Sequence, residues 1–217
     1  MLIGFSKRFS RKNLYELMEI SIGEYCGPKQ NIVSIGAGGD VKRILTKHGL
    51  TFKEIDVDTA RRPDFVCSAE QMDIFENNSV DVFFCMEVLE HVKKPWNAIM
   101  EMERVLKPGG IIIGSTPFIF PIHEEPFDFY RYTKYGLLNL FENFEKIKLV
   151  ERNSYLESVY VVLLRTLNIG SRKQRFVGAL LFPIFLLILP FLFVLVPFVT
   201  NKQSTTGYFF IFKKSAK

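Results

Sequence analysis

Three histidines, three cysteines and a scatter of carboxylates are the groups of this 217-residue chain that could do chemistry. Cys26, Cys67 and Cys85 form no CxxC pair. That argues against a disulfide framework or a cysteine-held zinc and fits a reducing compartment. No metal-ligand set is expected. His123 opens HEEPFDFYRYT, directly after an apolar run, and a histidine so placed can take a proton near neutral pH. In the same stretch Asp128 and Arg131 either pair with each other or meet a substrate, and Tyr130 and Tyr132 line a pocket or pack. His91 lies in LEHV, as a proton acceptor or as a structural histidine bonded to its loop. His48 ends a helical run, where a cationic ring suits the helix C-terminus.

NIVSIGAGGD offers a different chemistry: close approach of a ligand to backbone. Gly36, Gly38 and Gly39 follow an apolar strand and open a helix, so amides can be aimed at a ligand. A dinucleotide fingerprint would need glycine where Val41 stands, and no GK[ST] is present, which disfavours NAD, FAD and a P-loop. About twenty residues on, Asp56 ends KEID, where a carboxylate can accept both hydroxyls of a ribose or cap a helix.

These groups must be held by regular elements. Leu14, Leu17, Met18 and Ile22 fall at helical spacing in an N-terminal segment, 1–30. NIVSI, TFKEI, PDFVC, VDVFF and GIIIGS read as strands bounded by Gly, Pro, Asn or Asp. VKRILTKHG, SAEQMDIF and WNAIMEMERVL read as helices or helical turns between them, and KPGG reads as a turn that starts a buried strand. TKYGLLNLFENF and FEKIKLVER add one more helix and strand. Strand–helix alternation implies an α/β fold with a parallel sheet and helices on both faces. MLIGF is too short for the apolar core of a signal peptide.

The order and spacing of VSIGAGGD, EIDVD, PDFVCSAEQM, VDVFFCMEVLEHV, RVLKPGGIIIGSTPF and HEEPFDFYRYT resemble the class I S-adenosylmethionine-dependent methyltransferases, in the branch with an EVLEHV segment (methyltransferase type 11-like). The blocks cover roughly residues 31–133, and GYFFIFKKS looks like the last strand. The resemblance implies a Rossmann-like, seven-stranded, mostly parallel sheet, with S-adenosyl-L-methionine as cofactor. It implies that Gly36, Gly38 and Gly39 face the methionine part and that Asp56 holds the ribose. Ser68, Ala69 and Glu70 would lie beside the adenine, and Met86 and Glu87 would close the site near the sulfonium. His123 and His91 become the candidate catalytic bases, with Asp128, Tyr130 and Arg131 on the substrate side. The family's usual acidic residues are replaced by Ser34 and Ser68.

The remaining signal is FVGALLFPIFLLILPFLFVLVPFVT, residues 176–200, which carries no charge and three prolines. Residues 151–217 hold 9 basic and 2 acidic side chains, whereas the rest of the chain holds 19 and 21. The positive excess therefore flanks the apolar stretch, which points to a membrane surface and not to nucleic acid. We divide the chain into the N-terminal helical segment, a methyltransferase domain over 31–165, a membrane-associating insertion over 166–203 and a final strand over 204–217. The insertion must return the last strand to its own sheet, so a shallow re-entrant hairpin bent near Pro190 is expected. Arg165, Arg172, Lys173, Arg175 and Lys202 would then sit at headgroups on the cytoplasmic face. Methyl transfer to a lipid or lipid-linked glycan follows as the expected function. The alternatives are a binding module without catalysis, or a soluble small-molecule methyltransferase whose apolar segment covers a pocket or interface.

Overall fold

A computed structural model describes residues 2–168, 171–199 and 204–216. In chain order the elements are α1 (Leu2–Tyr25), β1 (Ile32–Ile35), α2 (Gly39–Lys47), β2 (Phe52–Asp56), β3 (Phe65–Val66), β4 (Val80–Met86) and α3 (Pro95–Val105). They continue with β5 (Leu106–Pro117), α4 (Lys134–Leu140), β6 (Phe144–Glu151), α5 (Tyr155–Asn168), α6 (Arg172–Leu195) and β7 (Gly207–Lys214). The seven strands form one sheet in the order β3-β2-β1-β4-β5-β7-β6. Strands β3, β2, β1, β4 and β5 pair in parallel, and β7 runs antiparallel between β5 and β6.

The continuous apolar run VDVFFCM is what a central strand covered on both faces requires. Side chains alternate across the sheet. Val82, Phe84 and Met86 pack with Leu14, Met18 and Ile22 of α1 and Ile44 and Leu45 of α2. Phe83 and Cys85 face the other way, with Ala98 and Met102 of α3, Leu137 of α4 and Phe141 at the end of α4. Much of the heavy phenylalanine load goes here. Phe210 and Phe212 of β7 meet Phe141, whose ring stacks on Phe212 at 4.3 Å between centroids.

Two local readings are refined. SAEQMDIF forms single turns and no continuous helix. The Gln71 amide donates to the Ser68 carbonyl and the Phe75 amide to the Met72 carbonyl, while the Met72 amide goes to the Glu101 carboxylate of α3. KPGG lies at the start of β5 and within it, where Gly109 at φ +78° accompanies a shift of register against β4. Gly tolerates that left-handed angle at little cost.

The C-terminal half brings the larger correction. α6 is one helix from Arg172 to Leu195 that passes through Pro183 and Pro190, so the expected hairpin near Pro190 does not form. Each proline deletes one helix hydrogen bond. No Gly, Asn or Asp occurs between Ala179 and Leu195 to reverse the chain, and the helix continues. Among the described residues no helix is long and apolar enough to cross a membrane. α6 packs against α5, which itself runs through residue 165, and exposes Phe176, Leu180, Ile184, Leu187, Phe191 and Val194. Their spacing of three and four residues makes an apolar stripe along the helix, which the exposed Val177, Leu181, Leu186, Ile188 and Leu195 widen. Lys202 lies outside the described residues. Arg165 does not face outward with Arg172, Lys173 and Arg175: its guanidinium stands over the Phe120 ring at 4.7 Å.

Candidate active site

The chain leaves β1 toward β2 and β3 on one side and returns to β4 on the other. A crevice opens where strand order reverses, beyond the carboxyl ends of the strands. Gly36, Gly38 and Gly39 occupy it with φ of +88°, +80° and +65°. A Cβ on Gly38 or Gly39 would meet no heavy atom within 4 Å, so the space before this loop is open to a ligand. A Cβ on Gly36 would lie 3.1 Å from Val88 Cγ2, which places the glycine turn directly against the EVLEHV segment. The first-turn amides of α2 lack intrahelical acceptors and face the same crevice.

Asp56 is brought to this loop. One carboxylate oxygen accepts the Ala37 amide at 2.8 Å and the other accepts the Asp58 amide at 2.9 Å. Beneath it, Glu54 is buried and accepts the Gly38 amide at 2.7 Å together with the Lys42 ammonium. Ser34 is the register partner of Glu54 on the adjacent strand. The carboxylate missing at Ser34 is thus offered from the facing position of β2. α1 closes one flank, where the Tyr15 hydroxyl donates to Asp40 at 2.6 Å and Arg11 donates to Tyr15.

Residues expected near the adenine sit after β3. Ser68 Oγ accepts the Glu70 amide at 3.1 Å, and Glu70 accepts the Lys94 amide at the start of α3. Ala69 is buried in the core. Met86 likewise turns into the core, beside α1, and does not line the crevice with its side chain.

Glu87 adopts φ +57°, and its carboxylate accepts Ser115 Oγ and Arg152 Nη1, each at 2.9 Å. Burial alone would push this acid upward, but Arg152 and Arg11 outweigh it and hold Glu87 below the ordinary carboxylate range. Arg152 is buried and also donates to the carbonyls of Thr116 and Thr206. Glu90 behaves in the opposite way. It is wholly buried, both carboxylate oxygens lack a hydrogen-bond partner, and burial beside Glu87 drives it well above the usual carboxylate range.

The two histidines meet across this acid. Their rings lie edge to face at 4.8 Å, and His91 Nε2 is 3.7 Å from Glu90 Oε1. His91 Nδ1 is 2.7 Å from the Phe127 carbonyl, which suits a donated N–H. His123 Nδ1 lies 3.2 Å from Asp128, and burial, partly countered by Asp128, lowers its proton affinity. Asp128 is gripped by both Arg131 guanidinium nitrogens and by the His123 amide, which outweigh its desolvation and hold it at about 2. Asp128 and Arg131 therefore pair with each other, fixing the loop. Tyr132, buried, donates to the Leu89 carbonyl, the Phe129 and Tyr130 amides donate to the Glu90 carbonyl, and the Tyr130 hydroxyl donates to the Lys93 carbonyl, so this loop is tied to the EVLEHV segment and the residue after it.

Residues 33–114 match the family described as the methyltransferase domain. A SAM-dependent methyltransferase from Archaeoglobus fulgidus superposes with a TM-score of 0.59 at 13% identity, over 95% of this chain and 98% of that one. The fold is that of a class I methyltransferase. By sequence, the ubiquinone biosynthesis O-methyltransferase of Burkholderia thailandensis is 31% identical over 104 residues, 41% of this chain and 45% of the relative. The chain therefore aligns with less than half of that relative's length. The [4+2]-cyclase SpnF superposes as well, with a TM-score of 0.59 at 16% identity, over 92% of this chain and 80% of that one. This methyltransferase fold by itself thus fixes architecture and leaves the reaction to the site residues.

Three residues of the site were not singled out by sequence. Glu54 and Glu90 lay inside KEIDVD and EVLEHV, but nothing in spacing announces that a carboxylate will be buried. Arg152 had no local signal, because its partners Glu87, Thr116 and Thr206 come from three other segments.

Proposed function

We propose that the chain is an S-adenosylmethionine-dependent methyltransferase acting on an oxygen nucleophile of a lipid or lipid-linked acceptor at the cytoplasmic membrane face. The observation that carries the reading is the contact of the glycine turn, at Gly36, with Val88, which sets an open nucleotide-type cradle beside the His91–His123 pair. Gly36, Gly38, Gly39 and the α2 amides would hold the amino-acid end of the cofactor, and Asp56 the ribose. Glu54 supplies the buried carboxylate opposite Ser34 that keeps this loop in shape, which argues against lost cofactor binding. When bound, S-adenosylmethionine supplies an activated methyl group on a positively charged sulfur.

The protein's own part is alignment and proton handling. His91 and His123 form the wall from which the acceptor's proton is managed, and the Asp128–Arg131 pair holds that wall in place. Oxygen as the nucleophile is supported by the name of the Burkholderia relative, an O-methyltransferase. A lipid acceptor is supported by the exposed stripe of α6 with Arg172, Lys173 and Arg175 at its start. Along α5, a mainly apolar hollow lined by Ile119, Tyr155, Val159, Val162 and Leu163 is of a chemistry that could receive a hydrocarbon chain. Mass spectrometry of lipid and glycolipid extracts from cells with and without the gene tests this. Loss of a methylated species, with gain of its unmethylated precursor, is expected; unchanged lipids with a changed water-soluble metabolite would overturn the lipid reading.

A further inference from the structure

Glu90, His91 and His123 present one ligand atom each within 4.8 Å of one another. This group lies beyond the carboxyl ends of β4 and β5, beside the glycine turn but not part of it. Around a tetrahedral ion with bonds of about 2.1 Å, ligand atoms sit roughly 3.4 Å apart. The ligand atoms, within 4.8 Å of one another, would have to approach by up to about 1.4 Å to close on an ion.

Two features go beyond proximity. Glu90 is wholly buried with both oxygens unpartnered, and one of them faces His91 Nε2. A buried carboxylate left without donors is costly, whereas a cation would use both its charge and its lone pairs. His91 has its Nδ1 on the Phe127 carbonyl, which fixes the tautomer that leaves Nε2 as a lone-pair donor. Metal-bound histidines characteristically give their second nitrogen to a carbonyl or a carboxylate in this way. His123 completes the group with a ring whose Nδ1 lies 3.2 Å from Asp128 without a hydrogen bond.

We propose that Glu90, His91 and His123 form a divalent transition-metal site. Two imidazole nitrogens and one carboxylate favour Zn2+, Mn2+ or Fe2+ over Mg2+ and Ca2+, which prefer all-oxygen shells. Three protein ligands leave at least one position open. Resting on the methyl-transfer reading, that position would take the acceptor's oxygen and lower its pKa, so that the ion, and not a free histidine, prepares the nucleophile.

The test is metal binding itself, on the full chain freed of metal by chelator and without any acceptor. Isothermal titration with Zn2+ and with Mg2+ should show one equivalent of Zn2+ at micromolar Kd or tighter and Mg2+ at least tenfold weaker. Co2+ added to the wild type should give the visible absorption of a low-coordinate nitrogen–oxygen site, a readout that needs no variant. His91→Ala, His123→Ala and Glu90→Gln should each weaken Zn2+ at least tenfold, with His48→Ala unchanged. Absence of Zn2+ binding and of a Co2+ spectrum in a chain that still binds S-adenosylmethionine overturns the metal site and spares the methyltransferase reading. Zn2+ binding in a chain that does not bind S-adenosylmethionine supports the site and removes that reading.

Discussion

At the scale of single residues the site divides into groups that meet a ligand and groups that hold them. Asp56 is proposed for the first class, and Asp56→Ala should weaken S-adenosylmethionine binding by about 1–3 kcal/mol, measured by calorimetry, with some loss of melting temperature because its carboxylate also accepts the Ala37 and Asp58 amides. Glu54 is in the second class. Its carboxylate joins the Gly38 amide to Lys42, so Glu54→Ala should loosen the loop and weaken cofactor binding, while Glu54→Gln recovers part of the loss through one remaining hydrogen bond. Equal affinity in all three proteins would remove Glu54 from the site. Arg152 carries a larger share of stability. Without it Glu87 becomes a largely enclosed acid short of its main partner and the buried Thr116 and Thr206 carbonyls lose a donor, so Arg152→Met should cost about 3 kcal/mol in denaturant unfolding. Gly207 makes the same point from the backbone: a Cβ there would lie 1.9 Å from Arg152 Nη2 and 2.3 Å from the Thr116 carbonyl. Gly207→Ala should therefore mimic the Arg152 variant, and a neutral result would contradict the packing described.

At the scale of elements, Phe141 is where α4 is fastened to β7. Its wholly buried ring stacks on Phe212, and Phe141→Ala should destabilise the fold by about 3–5 kcal/mol. α6 offers a prediction whose sign is informative. A helix that runs through Pro190 is missing a hydrogen bond there, so Pro190→Ala should raise the melting temperature and helical signal, whereas a turn at this position would lose stability. Most strands and helices were legible in the sequence because each carries its own punctuation, as VDVFF does, whereas GYFFIFKKS was placed by the family resemblance. SAEQMDIF stops at single turns because its Met72 amide goes to Glu101, a residue of another element. The hairpin near Pro190 was wrong because proline was read as a reversal, when it only removes one bond from a helix that has no turn residue to follow. Glycine positions and Asp56 were readable from order along the chain. The inward turn of Met86, the orphaned Glu90 and the Arg152–Glu87 pair depend on contacts between distant segments, which spacing does not encode.

At the scale of the whole molecule, the α/β domain carries a nucleotide-type crevice on one end of its sheet and an apolar helix beside α5. The stripe of α6 and its basic start should drive association with anionic vesicles. In flotation, replacing Leu180, Leu187 and Phe191 by Ser should abolish association, and replacing Arg172, Lys173 and Arg175 should make it weaker and more salt-sensitive. Both depend on a folded, cofactor-binding domain. The most direct measurement is therefore calorimetric titration of the full chain with S-adenosylmethionine, with Asp56→Ala and a bulky Gly38 variant (Gly38→Leu) alongside. One equivalent bound by the wild type, with a loss of affinity of tenfold or more in both variants while they remain folded, is the expected result. Absence of binding, or binding that both variants leave intact, would contradict the site at the glycine turn.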